Sequence, residues 1–538
     1  MARSWLRPVV VFVGAATLLL GGCAKPVGGG GTDGAGHSKP VANGSGALVS
    51  PAREGDQPQS PRARAQVEAF CGDCHRLPLA TSFPRDDWPR EVRQGYDFYL
   101  ASLRTDLPRP PEGDAVRYFQ EKAPGRIEVP RAADRIERPA PVAFSPVDGI
   151  AGLETVDPAI AQVVMAGAAA AGEGVDLLTT DMRSGEIRRW NLATNGATHR
   201  LLSHLAHPCR LSLLRPGEPG GGETWGVGDL GSFLPEDHDR GGVYRLRSMG
   251  PGLEGPGGLE PLRRGLGRVV GTVPFDHDGD GRMDLLVAEF GWRATGALRV
   301  LSGAGEANAV EGTDGAETVL DPRHGVLDVR IADLDGDGRE DIVAAFAQEH
   351  ETVDAWFALG EGRYEHRELY RGNDPSWGSS GFDLADIDGD GDPDILHANG
   401  DTMDTGLARP THGIRILVND GARRFQAVEI ARMPGVSQAT PADLDGDGDL
   451  DVVAAALHIG AADETPGTFD SLLWVEQGEG GNWLPHGIER DHCKYAAFAL
   501  ADVDGDRRID IVAGVWQPAV LGEEAPALRV WLNRPVTR

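Results

Sequence analysis

Short aliphatic bursts set the rhythm of the C-terminal three-quarters of the chain. Leu285-Leu286-Val287, Ile342-Val343, Ile395-Leu396, Val452-Val453 and Ile511-Val512 are brief, mostly β-branched runs, each directly preceded by an Asp-rich loop. Runs this short, without recurrence at three or four residues, predict strands rather than helices. Upstream, Val175-Asp176-Leu177-Leu178 and Thr224-Trp225-Gly226-Val227-Gly228-Asp229 repeat the pattern. Seven bursts divide residues 126–538 into units of about 59 residues. A unit of that length holds four short strands, and seven such units predict a β-propeller. Helical patterns lie earlier, at residues 64–70 and 114–122. The expected fold is therefore mainly β, a seven-bladed β-propeller over residues 126–538 preceded by a small all-α domain over residues 67–125.

What precedes five of the bursts points to chemistry. The sets are Asp276, Asp278, Asp280 and Asp284; Asp333, Asp335, Asp337 and Asp341; Asp386, Asp388, Asp390 and Asp394; Asp443, Asp445, Asp447 and Asp451; and Asp502, Asp504, Asp506 and Asp510. They begin 57, 53, 57 and 59 residues apart. Carboxylates at positions 1, 3, 5 and 9 of a loop converge on one hard cation, a carbonyl at position 7 adds a ligand, and Gly permits the tight path. Without a cation the four Asp repel, so about five Ca2+ are expected. No Glu stands at position 12, so the loops are not EF-hands, and a strand follows at once. The last set carries Arg507-Arg508 where the others have Gly first, so its turn is altered. In the two upstream units, Gly-containing stretches at residues 167–174 and 217–222 replace the ligands.

The whole stretch resembles the FG-GAP/VCBS repeats and the propeller of integrin α-subunits. The resemblance implies the fold and calcium, and says little about function. In such a blade the metal loop joins the first and second strands, so all five cations share one face. The opposite face collects residues 229–239, Trp292, His350, residues 401–412, His458 and Trp516, with His324, Trp377 and His492 ahead of inner strands. Aromatic and His side chains in a shallow funnel suit sugars, peptides or a cofactor.

The N-terminus reads as an export signal. Arg3 and Arg7 precede an apolar stretch at residues 9–20, too short to act as a stable anchor and ending in small residues. Leu20-Gly21-Gly22-Cys23 resembles a bacterial lipobox, which implies lipidation of Cys23 and attachment to a membrane by acyl chains, without a transmembrane helix in the mature chain. By resemblance to Gram-negative sorting, Ala24 after the Cys implies the outer membrane, on the periplasmic side of the cell envelope. Residues 24–66, rich in Gly, Pro, Ser and Ala, predict a flexible tether.

Cys71-Gly72-Asp73-Cys74-His75 is the attachment motif of one covalent c-type haem. Two thiols one helical turn apart add to the two haem vinyls, and the adjacent His becomes the proximal ligand. No second Cys pair stands nearby to complete a zinc site. The chain resembles cytochrome-plus-FG-GAP-repeat proteins of environmental bacteria. In those a Met commonly follows a Trp by about eight positions; here Trp88 leads to Tyr96, the distal candidate. A packed aromatic at Tyr96, an open or water-bound site, Lys122, or a side chain lent by the propeller remain alternatives. Export permits a disulfide between Cys209 and Cys493, but these fall in blades two and seven, which are not neighbours.

Fifty-two basic against eighty-two acidic residues give a formal charge of −30, which argues against nucleic acid as a partner. Five bound divalent ions would remove roughly ten of those charges. Three functions fit: electron transfer, with the propeller binding a redox partner, substrate or extracytoplasmic ligand; a calcium-stabilised binding or adhesion module with haem as sensor; and an oxidoreductase on the propeller's open face. No catalytic triad, phosphate loop or paired catalytic carboxylates stand out.

Overall fold

The computed structural model describes residues 59–536, apart from positions 137, 167–173, 217–221, 248–257, 307–308, 312–315, 404, 461–464, 479, 492 and 519. The expected signal, Cys23, most of the tether and His492 lie outside the described residues. Seven four-stranded antiparallel sheets form the blades of a propeller. Their inner strands are Ile160–Met165, Pro208–Arg215, Val269–Phe275, Val326–Ala332, Ser379–Ala385, Val436–Ala442 and Tyr495–Ala501. Each lies beside the next, and Tyr495–Ala501 returns to Ile160–Met165, which closes the ring.

The aliphatic bursts are the second strands. Asp284–Glu289, Asp341–Phe346, Asp394–Asn399, Asp451–Ala456 and Asp510–Val515 are buried at every residue. Neighbouring blades cover both faces of these strands, so they read as continuous apolar runs rather than as alternation. Each fully buried Val, Leu or Ile contributes about 1.5–3 kcal/mol.

Closure of the ring uses both ends of the propeller sequence. The outer strand of blade seven is Val142–Pro146, which pairs antiparallel with Leu528–Pro535, Val142 opposite Pro535 and Pro146 opposite Trp531. A second tie joins Glu154–Val156 to Glu524–Pro526. Near the axis Asp328, 3% exposed, sits between Arg210 and Arg330. Burial opposes its ionisation, but the two guanidinium groups hold its carboxyl below the usual range.

Residues 59–125 form a helical unit. Helix α1 (Pro61–Cys71) is capped by Ser60, whose hydroxyl accepts from Ala63 N at 3.2 Å. Helix α2 spans Trp88–Ala101 and α3 spans Glu112–Gln120. The flanking helices match the sequence pattern. Pro84, Pro89, Pro108, Pro110 and Pro111 crowd this middle region, yet α2 forms there, because Pro89 stands in its first turn, where no amide donor is needed. Trp88 stacks on Phe119, centroids 4.0 Å apart, within a core of Val67, Phe70, Val92, Tyr96 and Ala115. Among the described residues, no helix is long and apolar enough to cross a membrane.

Candidate functional site

The five Asp loops share one hydrogen-bond plan, set by their spacing. The first Asp turns back on the loop: Gly279 N and Gly281 N donate to Asp276, both at 2.9 Å. The third accepts from the fifth, as Asp280 N does to Asp278 at 3.1 Å. Gly occupies the left-handed positions 4 and 6, for example Gly279 and Gly281 with φ of 79° and 82°. Carboxylate oxygens of Asp276, Asp278 and Asp284 lie within 4.8 Å of one another, and so do those of Asp333, Asp335 and Asp341, of Asp386, Asp388 and Asp394, and of Asp443, Asp445 and Asp447.

The ninth Asp of each loop is tied into the backbone. In blade five, Ile387 N donates to Asp394 Oδ2 at 3.0 Å and Asn419 N to Oδ1 at 2.8 Å. The same pair of bonds recurs at Asp284, Asp341, Asp451 and Asp510. This carboxylate therefore joins the loop to the end of the third strand. Burial pushes Asp341 and Asp510 up to about 6 and Asp451 up to about 7.

Two loops carry a guanidinium. Arg534, at the end of the last strand, reaches Asp506 at 2.7 Å and also pairs with Asp504. This is the loop in which Arg507 takes the sixth position, held at φ 71°. In blade four, Arg423 pairs with Asp335. Sequence reasoning flagged Arg507 but missed Arg534 and Arg423, which reach the loops from distant segments.

Antiparallel strands place the turns between second and third strands, and the links between blades, on the face away from these loops. One apolar residue after the second strand of each blade closes the axis there: Met182, Leu230, Phe290, Ala347, Met403, Leu457 and Trp516 belong to one buried cluster. Trp377, His412, His458 and Trp516 are buried, so they close this face instead of lining a funnel. His324, His350 and Trp292 remain half-buried.

The helical unit docks on this same face. Leu79 N and Ser82 Oγ both donate to buried Asp374 at 2.7 Å. Arg409 donates to Ser82 O and lies 4.6 Å over the Phe83 ring, and Arg293 lies 3.1 Å over Phe98. Leu407 packs against the helical core. Cys71 closes α1, and Cys74 and His75 follow in the next turn, with both thiols free. Burial pushes the Cys71 thiol up to about 11. Arg104 approaches Cys74 Sγ at 3.0 Å and pairs with Asp73 at 2.7 Å. Leu103, next to Arg104, is 86% exposed. Two free thiols, an adjacent imidazole and an uncovered apolar side chain fit the chemistry of a covalent haem.

Tyr96 is buried; its hydroxyl donates to Pro110 O at 2.9 Å and its ring packs edge-on to Phe70 at 5.2 Å. Its oxygen is thus committed within the helical core. Lys122 is exposed at the end of α3. Cys209 and Cys493 are buried, unpaired and in different core clusters.

The model of the FG-GAP-like repeat matches residues 276–344 and 333–397. Residues 276–397 carry FG-GAP-like repeats. The loops at Asp276, Asp333 and Asp386 fall inside the match; the loops at Asp443 and Asp502 lie beyond it and follow the same hydrogen-bond plan. Among solved structures, the chain is similar to BBS1N crystallised with ARL6DN and soaked with lead, at 11% identity, covering 74% of this chain and 99% of that one, with a TM-score of 0.38. It is also similar to the V. cholerae biofilm matrix protein Bap1, at 22% identity, covering 45% of this chain and 34% of that one, with a TM-score of 0.28. No curated protein matches the chain.

Proposed function

We propose that this is an exported, lipid-anchored protein of the cell envelope of a Gram-negative-type bacterium, which binds one haem c and Ca2+ and transfers electrons. The propeller is its platform for a redox partner, substrate or extracytoplasmic ligand. The observation that carries this reading is the placement of Cys71, Cys74 and His75 in a unit fastened to the propeller face opposite the Asp loops. When bound, a haem supplies a one-electron couple. Cys71 and Cys74 attach it and His75 holds its iron. Asp374 and Arg409 fix the unit on the propeller, and Arg104 holds Asp73 and Cys74 in register. The Asp loops hold Ca2+ and stiffen the blades. Cys23 carries the lipid.

Expression with a haem-maturation system tests this. A covalent, low-spin haem that cycles reversibly, and that is lost in Cys74→Ala, is the expected result. A high-spin haem that binds CO when ferrous sinks electron transfer as the primary role. It would favour the second reading, a calcium-stabilised binding or adhesion module with haem as sensor, which the FG-GAP-like repeats themselves favour. If the protein is an enzyme, the class proposed is an oxidoreductase acting on the propeller's open face.

A further inference from the structure

We propose that His324, Glu349 and His350 form a binding site for one divalent transition-metal ion, of the zinc type, on the face that receives the helical unit. The site is separate from the Asp loops, and the inference does not depend on haem.

The three residues meet at the junction of blades three and four. His324 precedes the inner strand Val326–Ala332, and Glu349 and His350 lie in the turn after Asp341–Phe346. His324 Nε2 is 3.0 Å from Glu349 Oε1, and the two imidazole rings are 5.0 Å apart at 50°. One ligand atom from each residue lies within 4.8 Å of the others. A tetrahedral ion with bonds of roughly 2.0–2.1 Å separates its donors by about 3.3 Å. The His324–Glu349 pair already stands near that spacing, and His350 closes on it with a small side-chain movement. His350 Nε2 is buried without a hydrogen-bond partner, and a metal bond would satisfy it.

The backbone holds this arrangement at a cost. Gln348 and Glu351, on either side of Glu349 and His350, adopt φ of 57° and 49°, the left-handed region that non-Gly residues avoid. Across the junction, a Cβ on Gly296 would stand 2.8 Å from the Cβ of His324, so only Gly at that position lets the blade-three turn pack against His324. The charge of the neighbouring Arg323 is offset by Asp321 at 2.8 Å and Asp354 at 3.2 Å. Two imidazoles and one carboxylate suit zinc and other first-row ions and discriminate against Ca2+, which takes oxygen ligands. Three protein ligands leave a coordination position open. Glu349 is near enough to Cys74 for its charge to act on that thiol, so the site lies beside the haem-attachment motif.

The test uses the full-length protein as isolated, with its haem, in excess Ca2+. Zn2+ is titrated by calorimetry and Co2+ by absorption. One equivalent of either ion beyond the Ca2+ sites is expected, with weak Co2+ d–d bands and no thiolate-to-cobalt charge transfer. His324→Gln, Glu349→Gln and His350→Gln should each weaken binding at least about tenfold, because each removes a ligand. Their unfolding midpoints without added Zn2+ should match that of the wild type, and any one folded variant suffices. Absence of the extra equivalent overturns the site, as does its survival in His324→Gln/His350→Gln. Thiolate charge-transfer bands would place the ion on Cys71 and Cys74 and show that these thiols carry no haem, which overturns both this site and the haem reading. A haem absorption shift in His350→Gln with Co2+ binding intact would make that residue a haem ligand and also overturn the proposal.

Discussion

Asp394→Ala separates the backbone bridge that this carboxylate makes from the calcium-ligand role proposed for it. The side chain is fully buried and accepts Ile387 N at 3.0 Å through one oxygen and Asn419 N at 2.8 Å through the other. Ala leaves both buried amides without a partner, at about 1–3 kcal/mol each, or about 2–6 kcal/mol together. This loss is present with or without calcium. Asp388→Ala is the contrast, since Asp388 is exposed and its bond from Asp390 N, at 3.3 Å, is replaced by water. Its loss should stay within about 0.5 kcal/mol in chelator. In calcium at a hundredfold over the dissociation constant, loss of the ion costs a further 2.7 kcal/mol or about that. Guanidinium unfolding of wild type and both variants, each in excess Ca2+ and in chelator, reads these differences. Asp394→Ala should be weakened in both solutions and Asp388→Ala only in calcium. If Asp394→Ala equals wild type in chelator, the ninth Asp is a ligand alone and the bridging role argued from its hydrogen bonds is wrong.

Calcium affinity should rise with pH between about 5 and 7.5. Burial raises Asp341 and Asp510 to about 6 and Asp451 to about 7, so in the metal-free fold these groups keep their protons at pH values where an unfolded Asp, near 3.9, has lost them. The proton-linked part of metal-free stability is therefore present below about pH 4 and is lost as pH rises through 6 to 7, whereas Ca2+ must displace those protons. Titrations at pH 5.5 and 7.5 check the sign, and equal affinities would contradict it. Arg534→Ala should tighten Ca2+ at the blade-seven loop by removing the cation paired with Asp504 and Asp506; calorimetry should show the change, and an unaltered isotherm would mean that Arg534 does not compete. Asp374→Ala should loosen the helical unit, since Leu79 N and Ser82 Oγ both depend on that carboxylate. Limited proteolysis should then cleave residues 59–125 faster, while the propeller melts as before.

The blades were legible because their spacing carries two signals at once. Four Asp mark a loop, and the aliphatic run that follows marks a strand buried on both faces. Even the two units without Asp sets were visible, since Val175–Asp181 and Thr224–Asp229 keep the strand half of the pattern. What was not legible depends on contacts between distant segments. Val142–Pro146 has no pattern of its own that assigns it to the last blade; its place comes from pairing with Leu528–Pro535. The guanidinium of Arg534 meets Asp504 and Asp506 for the same reason. The apolar cap did leave a trace. Phe290, Leu457 and Trp516 stand directly after second strands, out of step with a polar turn, but from sequence Trp516 is expected in an open funnel, and only the structure shows the shared cluster.

The cap changes what the open face can be used for. With the axis closed by a buried apolar cluster, a ligand cannot be held deep in a central funnel on that side. The polar side chains that the cap leaves on this face stand at the rim between blades three, four and five, where His324, Glu349 and His350 meet and where Asp374, Arg409 and Arg293 receive the helical unit. The propeller then acts less as a cup than as a rigid disc that sets one helical unit over one cluster of side chains. The Asp loops at Asp333 and Asp386, on the far side of blades four and five, are fastened to the same strands through Asp341 and Asp394. Calcium bound there would act on the docking rim through strand rigidity alone. Chelation should accordingly loosen the helical unit before any ligand group on the rim is lost, an order of events that proteolysis and Co2+ binding, followed together, can resolve.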